Sequence, residues 1–126
     1  MRTSRKFKAI ALLITLAPCA ASLAYAHAYP EEEIPAAGQQ VTTPPAEVSI
    51  KFDSAIEKLF AKLEVTGADG KNEAVAAPVV SDSGKRLSVK VGALRPGEYS
   101  VKWSVVCIDT HHSQGSYTFT VASGGL

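Results

Sequence analysis

The run YSVKWSVVC, residues 99–107, alternates without a break. Tyr99, Val101, Trp103, Val105 and Cys107 fall on one side, and Ser100, Lys102 and Ser104 on the other. Successive side chains of a strand point to opposite faces. Nine residues of period two therefore specify a long strand with one buried and one solvated face. Trp103 and Tyr99 are read as core, and Cys107, which shares their parity, as a small buried hydrophobe. A strand of this length belongs in the middle of a sheet.

Outward from it, the same pattern recurs in shorter pieces. EVSIKF (47–52) turns Val48, Ile50 and Phe52 to one face, and FAKLEV (60–65) does so with Ala61, Leu63 and Val65. RLSVKV (86–91) aligns Leu87, Val89 and Val91, and SYTFTV (116–121) aligns Tyr117, Phe119 and Val121. Weaker runs at 27–34 and 74–80 bring the strands to seven. Between them lie ADGK with the Asp-Gly pair of tight hairpins, RPGE with the Pro-Gly order of a type II turn, and the loops SDSGK, PAAG and TTPP. Only DSAIEKLFA (53–61) could form a helix, and a short one. These features predict an all-β fold, a seven-stranded antiparallel Greek-key β-sandwich of immunoglobulin-like type.

The N-terminus has a different character. MRTSRKFK carries four basic residues and no acid, AIALLITLAPCA (9–20) is mostly apolar, and SLAYA ends on Ala24 and Ala26 at the small positions. This order is that of a secretory signal peptide covering residues 1–26. The apolar run is too short for a membrane anchor, which needs about twenty residues. Two rival readings use the same segment: LAPC (16–19) as a lipoprotein signal acylated at Cys19, which Pro18 fits poorly, and SRKF as a twin-arginine signal, in which Lys6 replaces the second arginine.

Cleavage after Ala26 leaves one domain, 27–126, long enough for a single core. Four of the thirteen basic residues and none of the twelve acidic ones fall in the leader. The remainder carries nine against twelve, a net charge of −3 with histidines neutral. No basic stripe exists to hold nucleic acid, which excludes that class. Cys107 is left as a lone thiol, so no internal disulfide braces the domain. Met1 is the only methionine and leaves with the leader.

Cleavage also makes His27 the first residue. Its amine and its imidazole Nδ1 can chelate one metal in a six-membered ring. The other histidines stand together in DTHH (109–112), just past the long strand. In extended chain, residues two apart point the same way, so Asp109 and His111 aim at one place and His112 elsewhere. An Asp-x-His pair alone is common in solvated loops. With His27 it completes three nitrogens and an oxygen, a tetragonal set that suits Cu(II). Zinc would accept similar donors, whereas calcium and magnesium want more oxygens.

Taken together, HA (27–28), PAAG (35–38), VSIKFDSAIE (48–57) and YSVKWSVVCIDTHHSQGSYTFTV (99–121), with its W-x-V, D-x-H and G-x-Y-x-F-x-V elements, resemble the CopC family of periplasmic copper-binding proteins. The resemblance spans nearly all of residues 27–121. It implies one Cu(II) per chain, held by the amine and imidazole of His27 with Asp109 and His111. It also implies a role in copper sequestration, delivery or tolerance in the periplasm. The expected form is a monomer, with a dimer left open, and the expected recipient of the metal is an inner-membrane copper transporter or a cuproprotein. Some relatives carry a methionine-rich Cu(I) site, for which this chain lacks the residues. It departs from the family in YPEEEIP after HA, in Ser54-Ala55 where Glu-Pro is usual, and in Cys107 where a small residue is usual. Glu31, Glu32 and Glu33 read either as extra charge near the metal or as a solvated edge strand.

Two other classes compete with this non-enzymatic reading. The amine, His27 and His111 also form the copper unit of oxidative polysaccharide-cleaving enzymes, but those need an open copper position and an aromatic surface, of which Tyr29 is the chief candidate. A metal-free adhesive sandwich requires only that His27 lie far from His111.

Overall fold

The computed structural model describes residues 28–124. The proposed leader and His27 lie outside them. Eight strands are present: β1 (Pro30–Ile34), β2 (Gln40–Val41), β3 (Glu47–Phe52), β4 (Lys62–Gly67), β5 (Val79–Ser81), β6 (Arg86–Lys90), β7 (Gly97–Val106) and β8 (His112–Val121). They form two four-stranded sheets, ordered β1-β3-β6-β5 and β2-β8-β7-β4. The predicted sandwich is the fold, and β7 is an inner strand as expected.

The eighth strand arises because the N-terminal run changes sheets. β1 pairs antiparallel with β3, the chain then crosses the PAAG loop, and Gln40 and Val41 pair parallel with Thr120 and Val121 of β8. Gly38, with φ of 74°, makes the crossing and donates its amide to the Thr118 carbonyl at 2.7 Å. β1 is a charged edge: Glu31 and Glu32 are exposed, and Glu32 lies 3.7 Å from Arg86. Charged edges resist pairing with other chains, and Glu31 and Glu32 make the solvated edge anticipated here, while Glu33 is half-buried.

Two local expectations are corrected, and one is met in its shortest form. The run at 74–80 yields a strand only from Val79, because Pro78 has no amide to donate; Ala74 keeps an isolated bridge to Val91. DSAIEKLFA makes a single 3-10 turn at Lys58–Phe60. RPGE is a bend, since Gly97 has φ of 146°, whereas a type II turn needs about +80° at that place. A tyrosine ties this bend instead: the Tyr99 hydroxyl donates to the Arg95 carbonyl at 2.6 Å, the corner found in immunoglobulin-like sandwiches.

The apolar faces read from the sequence meet between the sheets. Val48, Ile50, Phe52, Leu63, Val65, Leu87, Val89, Val101, Val105 and Phe119 are all buried. Trp103 packs edge-on against Phe52, with ring centroids 5.1 Å apart, and Tyr99 stacks on Phe119 at 5.5 Å. Gly115 lies opposite Trp103, where a Cβ would stand 2.6 Å from the indole Cζ2. Only glycine lets the indole lie against β8. This packing fixes the β7–β8 hairpin in unbroken register from Gly97↔Val121 to Val106↔His112, and so fixes the loop at its tip.

Candidate metal centre

That tip is residues 107–111. The Cys107 amide donates to the His111 carbonyl at 2.8 Å, and the Thr110 amide donates to the Cys107 carbonyl at 2.8 Å. Thr110 has φ of 78°. A turn followed by one left-handed residue is a common three-residue hairpin loop, but glycine or asparagine usually fills the left-handed place. A β-branched residue there stores strain of about 1–3 kcal/mol.

The loop brings Asp109 and His111 together. Asp109 Oδ1 accepts the His111 amide at 3.2 Å, and Oδ2 lies 3.3 Å from His111 Nδ1. These two side chains lie together, for a reason other than the one expected. They are joined by an Asx-type turn, not by the parity of an extended strand. Slight desolvation acts to raise the Asp109 pKa, but the amide and ring of His111 outweigh it, and the carboxyl lies below its ordinary value.

The start of the described chain arrives at the same place. Ala28 is fully buried, and its amide donates to Cys107 Sγ at 2.8 Å. Tyr29 donates its amide to Asp53 Oδ1 at 2.9 Å, and its carbonyl accepts the Asp53 amide at 2.9 Å. His27 itself is not among the described residues. Among the described residues no three metal-binding side chains cluster. Asp109 and His111 form a pair of candidate donor side chains exposed on one loop.

His112 points away, as expected: it pairs with Val106, and its Nε2 lies 2.8 Å from Ser104 Oγ on the outer face of the sheet. Cys107 is buried, as its parity required. Burial pushes its thiol above the ordinary value, with the Asp109 and Asp53 carboxylates adding to the effect and the Ala28 amide opposing it. Asp53 was not singled out in the sequence. Its only signal was an acid directly after a strand, a pattern too common to stand out. Three exposed apolar side chains flank this end, Leu59 and Phe60 on the 3-10 turn and Ile108 on the loop. The turn runs beside β7, where Glu57 donates to the Val106 carbonyl and Ile108 to that of Ala55.

The CopC domain family matches residues 31–122, most of the described chain. The chain belongs to the CopC family. It is 35% identical to protein YobA of Escherichia coli K12 over 99 residues, covering 77% of this chain and 80% of that one. The crystal structure of CopC from Methylosinus trichosporium OB3b superposes with a TM-score of 0.73 at 26% identity, covering 79% of this chain and 98% of that one. PcoC, described as a methionine-rich copper resistance protein from Escherichia coli, superposes at 0.66 with 26% identity, over 76% and 99%. This CopC-family chain is a copper-binding protein of another composition, since its single methionine is Met1, outside the matched residues.

Proposed function

We propose that the chain is exported to the periplasm, cut after Ala26, and binds one Cu(II) through the amine and imidazole of His27 together with Asp109 and His111. One observation carries this reading: the Ala28 amide rests on Cys107, at the base of the loop that pairs Asp109 with His111. The described chain therefore begins beside that loop, which supports His27 as the source of the further donors. Nitrogen donors in a tetragonal arrangement favour Cu(II). The acidic side chains Asp53 and Asp109 add a negative field that draws cations. Copper is cargo here and not a resident cofactor, and the protein sequesters it or delivers it without turnover. The exposed Leu59, Phe60 and Ile108 offer an apolar rim on which an accepting membrane transporter can dock.

The test is intact mass of the exported protein followed by Cu(II) EPR on the same sample. The expected result is a chain starting at His27 with a nitrogen-rich tetragonal signal, lost when one residue is added before His27. A signal indifferent to that residue would refute the chelate. Metal binding must also displace protons from the proposed nitrogen donors. Affinity should therefore fall more than tenfold between pH 7 and pH 5, as read by competition with a chelator.

A further inference from the structure

We infer that Cys107 is a positioning residue of the copper centre: its sulfur holds the Ala28 amide and, with Asp53 holding Tyr29, clasps the segment that directly follows the proposed ligand His27. The inference rests on the proposed His27 ligation and adds the device that makes a terminal residue a dependable ligand.

Cys107 touches both halves of the centre. Its main chain closes the loop, donating to the His111 carbonyl and accepting from Thr110, each at 2.8 Å. Its side chain takes the Ala28 amide at 2.8 Å. One residue thus sets the position of the loop ligands and of the segment that follows His27. The second half of the clasp is the two-way bond between Tyr29 and Asp53. Between the two, the Ala28 methyl is fully buried, so the segment is held by packing as well as by hydrogen bonds. An unrestrained terminus would have to be ordered each time copper bound, at a cost in conformational entropy. A clasped one is ordered beforehand, which slows copper loss.

The same geometry speaks against the sulfur as a ligand. Cys107 is 2% exposed, faces inward beside Val105, and its sulfur is already occupied by an amide. Asp109 and His111, two and four residues on, are exposed.

The experiment uses the protein beginning at His27, loaded with Cu(II), and its Cys107→Ala, Cys107→Ser, Asp53→Ala and His111→Ala variants. Copper transfer to excess chelator is timed, and EPR and visible absorption are recorded before transfer. Loss of one neutral hydrogen bond predicts that Cys107→Ala releases copper roughly threefold to tenfold faster, with a broadened EPR spectrum. Cys107→Ser, whose hydroxyl can accept the amide, should recover most of that loss. Asp53→Ala should speed release to a similar extent, and it decides the matter if Cys107→Ala does not fold. Release at the parent rate in both Cys107→Ala and Asp53→Ala overturns the clasp. A thiolate-to-copper charge-transfer band in the parent, absent from Cys107→Ser, also overturns it by making the sulfur a ligand. His111→Ala separates the two levels. If it abolishes binding while the clasp variants change nothing, only the clasp has failed. If it too leaves binding intact, the metal-centre reading has failed and the clasp with it.

Discussion

The two ends of β7 are built to opposite standards. At its start, Tyr99 is buried against Phe119 and its hydroxyl reaches back to the Arg95 carbonyl at 2.6 Å, tying a bend that contains Pro96 and Gly97. At its finish, the next five residues hold a threonine in the left-handed region and present Asp109 and His111 to solvent. Exposed Leu59, Phe60 and Ile108 surround that end, the first of them 90% exposed. One end satisfies its polar groups and buries its apolar ones. The other leaves apolar side chains exposed and a strained threonine in place, and it is the end that carries the proposed copper ligands Asp109 and His111. Features that are poor for stability and grouped in one place are better explained by binding than by folding.

The largest effect should come from a pair of substitutions that separates the ends. His111→Ala should lower Cu(II) affinity by on the order of 100-fold or more, since even partners behind a ligand are worth 10–100-fold. Its effect on the thermal stability of the metal-free protein should be small, because the side chain is exposed. Tyr99→Phe should do the reverse, costing about 1 kcal/mol of stability for one lost hydrogen bond and leaving copper affinity unchanged. Chemical denaturation and copper titration of both variants check this. A Tyr99→Phe variant that bound copper poorly would show that the ends are coupled, and the contrast would lose its meaning.

Thr110 tests the same contrast more gently. Thr110→Gly should relieve the strain at φ of 78° and stabilise the metal-free fold by about 1 kcal/mol, the gain being reduced by the greater freedom of glycine in the unfolded chain. A loop with glycine there is also freer to move, so copper should be released faster while stability rises. Denaturant midpoints and copper release, measured together, decide it. If stability falls, the left-handed threonine is held by contacts that outweigh its strain.

How far each end could be read from sequence follows from the physics of each. The sandwich was legible because burial of one strand face imposes period two, and the faces marked at Val48, Leu63, Leu87, Trp103 and Phe119 are the ones that meet in the core. Asp109 and His111 were legible as a pair, though the turn that joins them was not, since Thr110 is an unusual residue for its left-handed place. The change of sheet at Gly38 and the clasp at Ala28 were hidden. Both depend on contacts between residues far apart in the chain, Gly38 with Thr118 and Ala28 with Cys107, and no local pattern encodes them. The tyrosine corner was hidden for a related reason: Pro-Gly suggested a turn, but the side chain four residues after Arg95 decided the geometry.

The smallest effect sharpens the comparison from the middle of the hairpin. Tyr117 lies on β8 opposite Val101, between the two ends, and its buried hydroxyl has no hydrogen-bond partner among the described residues. Burial raises its pKa, and the charge of Glu33 adds to the rise. An unfolded tyrosine ionises near pH 10. Above that pH the unfolded chain loses this proton while the folded chain keeps it, so stability must fall as pH rises. Tyr117→Phe should remove that part of the alkaline loss. At pH 7 it should be neutral or stabilise by up to about 1 kcal/mol, because it deletes an unsatisfied polar group and keeps the ring. Urea unfolding at neutral pH and above pH 10 measures both effects, and copper affinity should not move. A clear loss of stability at pH 7 would mean that the hydroxyl is satisfied in solution, by water or by Glu33. The middle of the hairpin would then join the well-satisfied end, leaving the 107–111 loop as the single place where β7 and β8 give up stability.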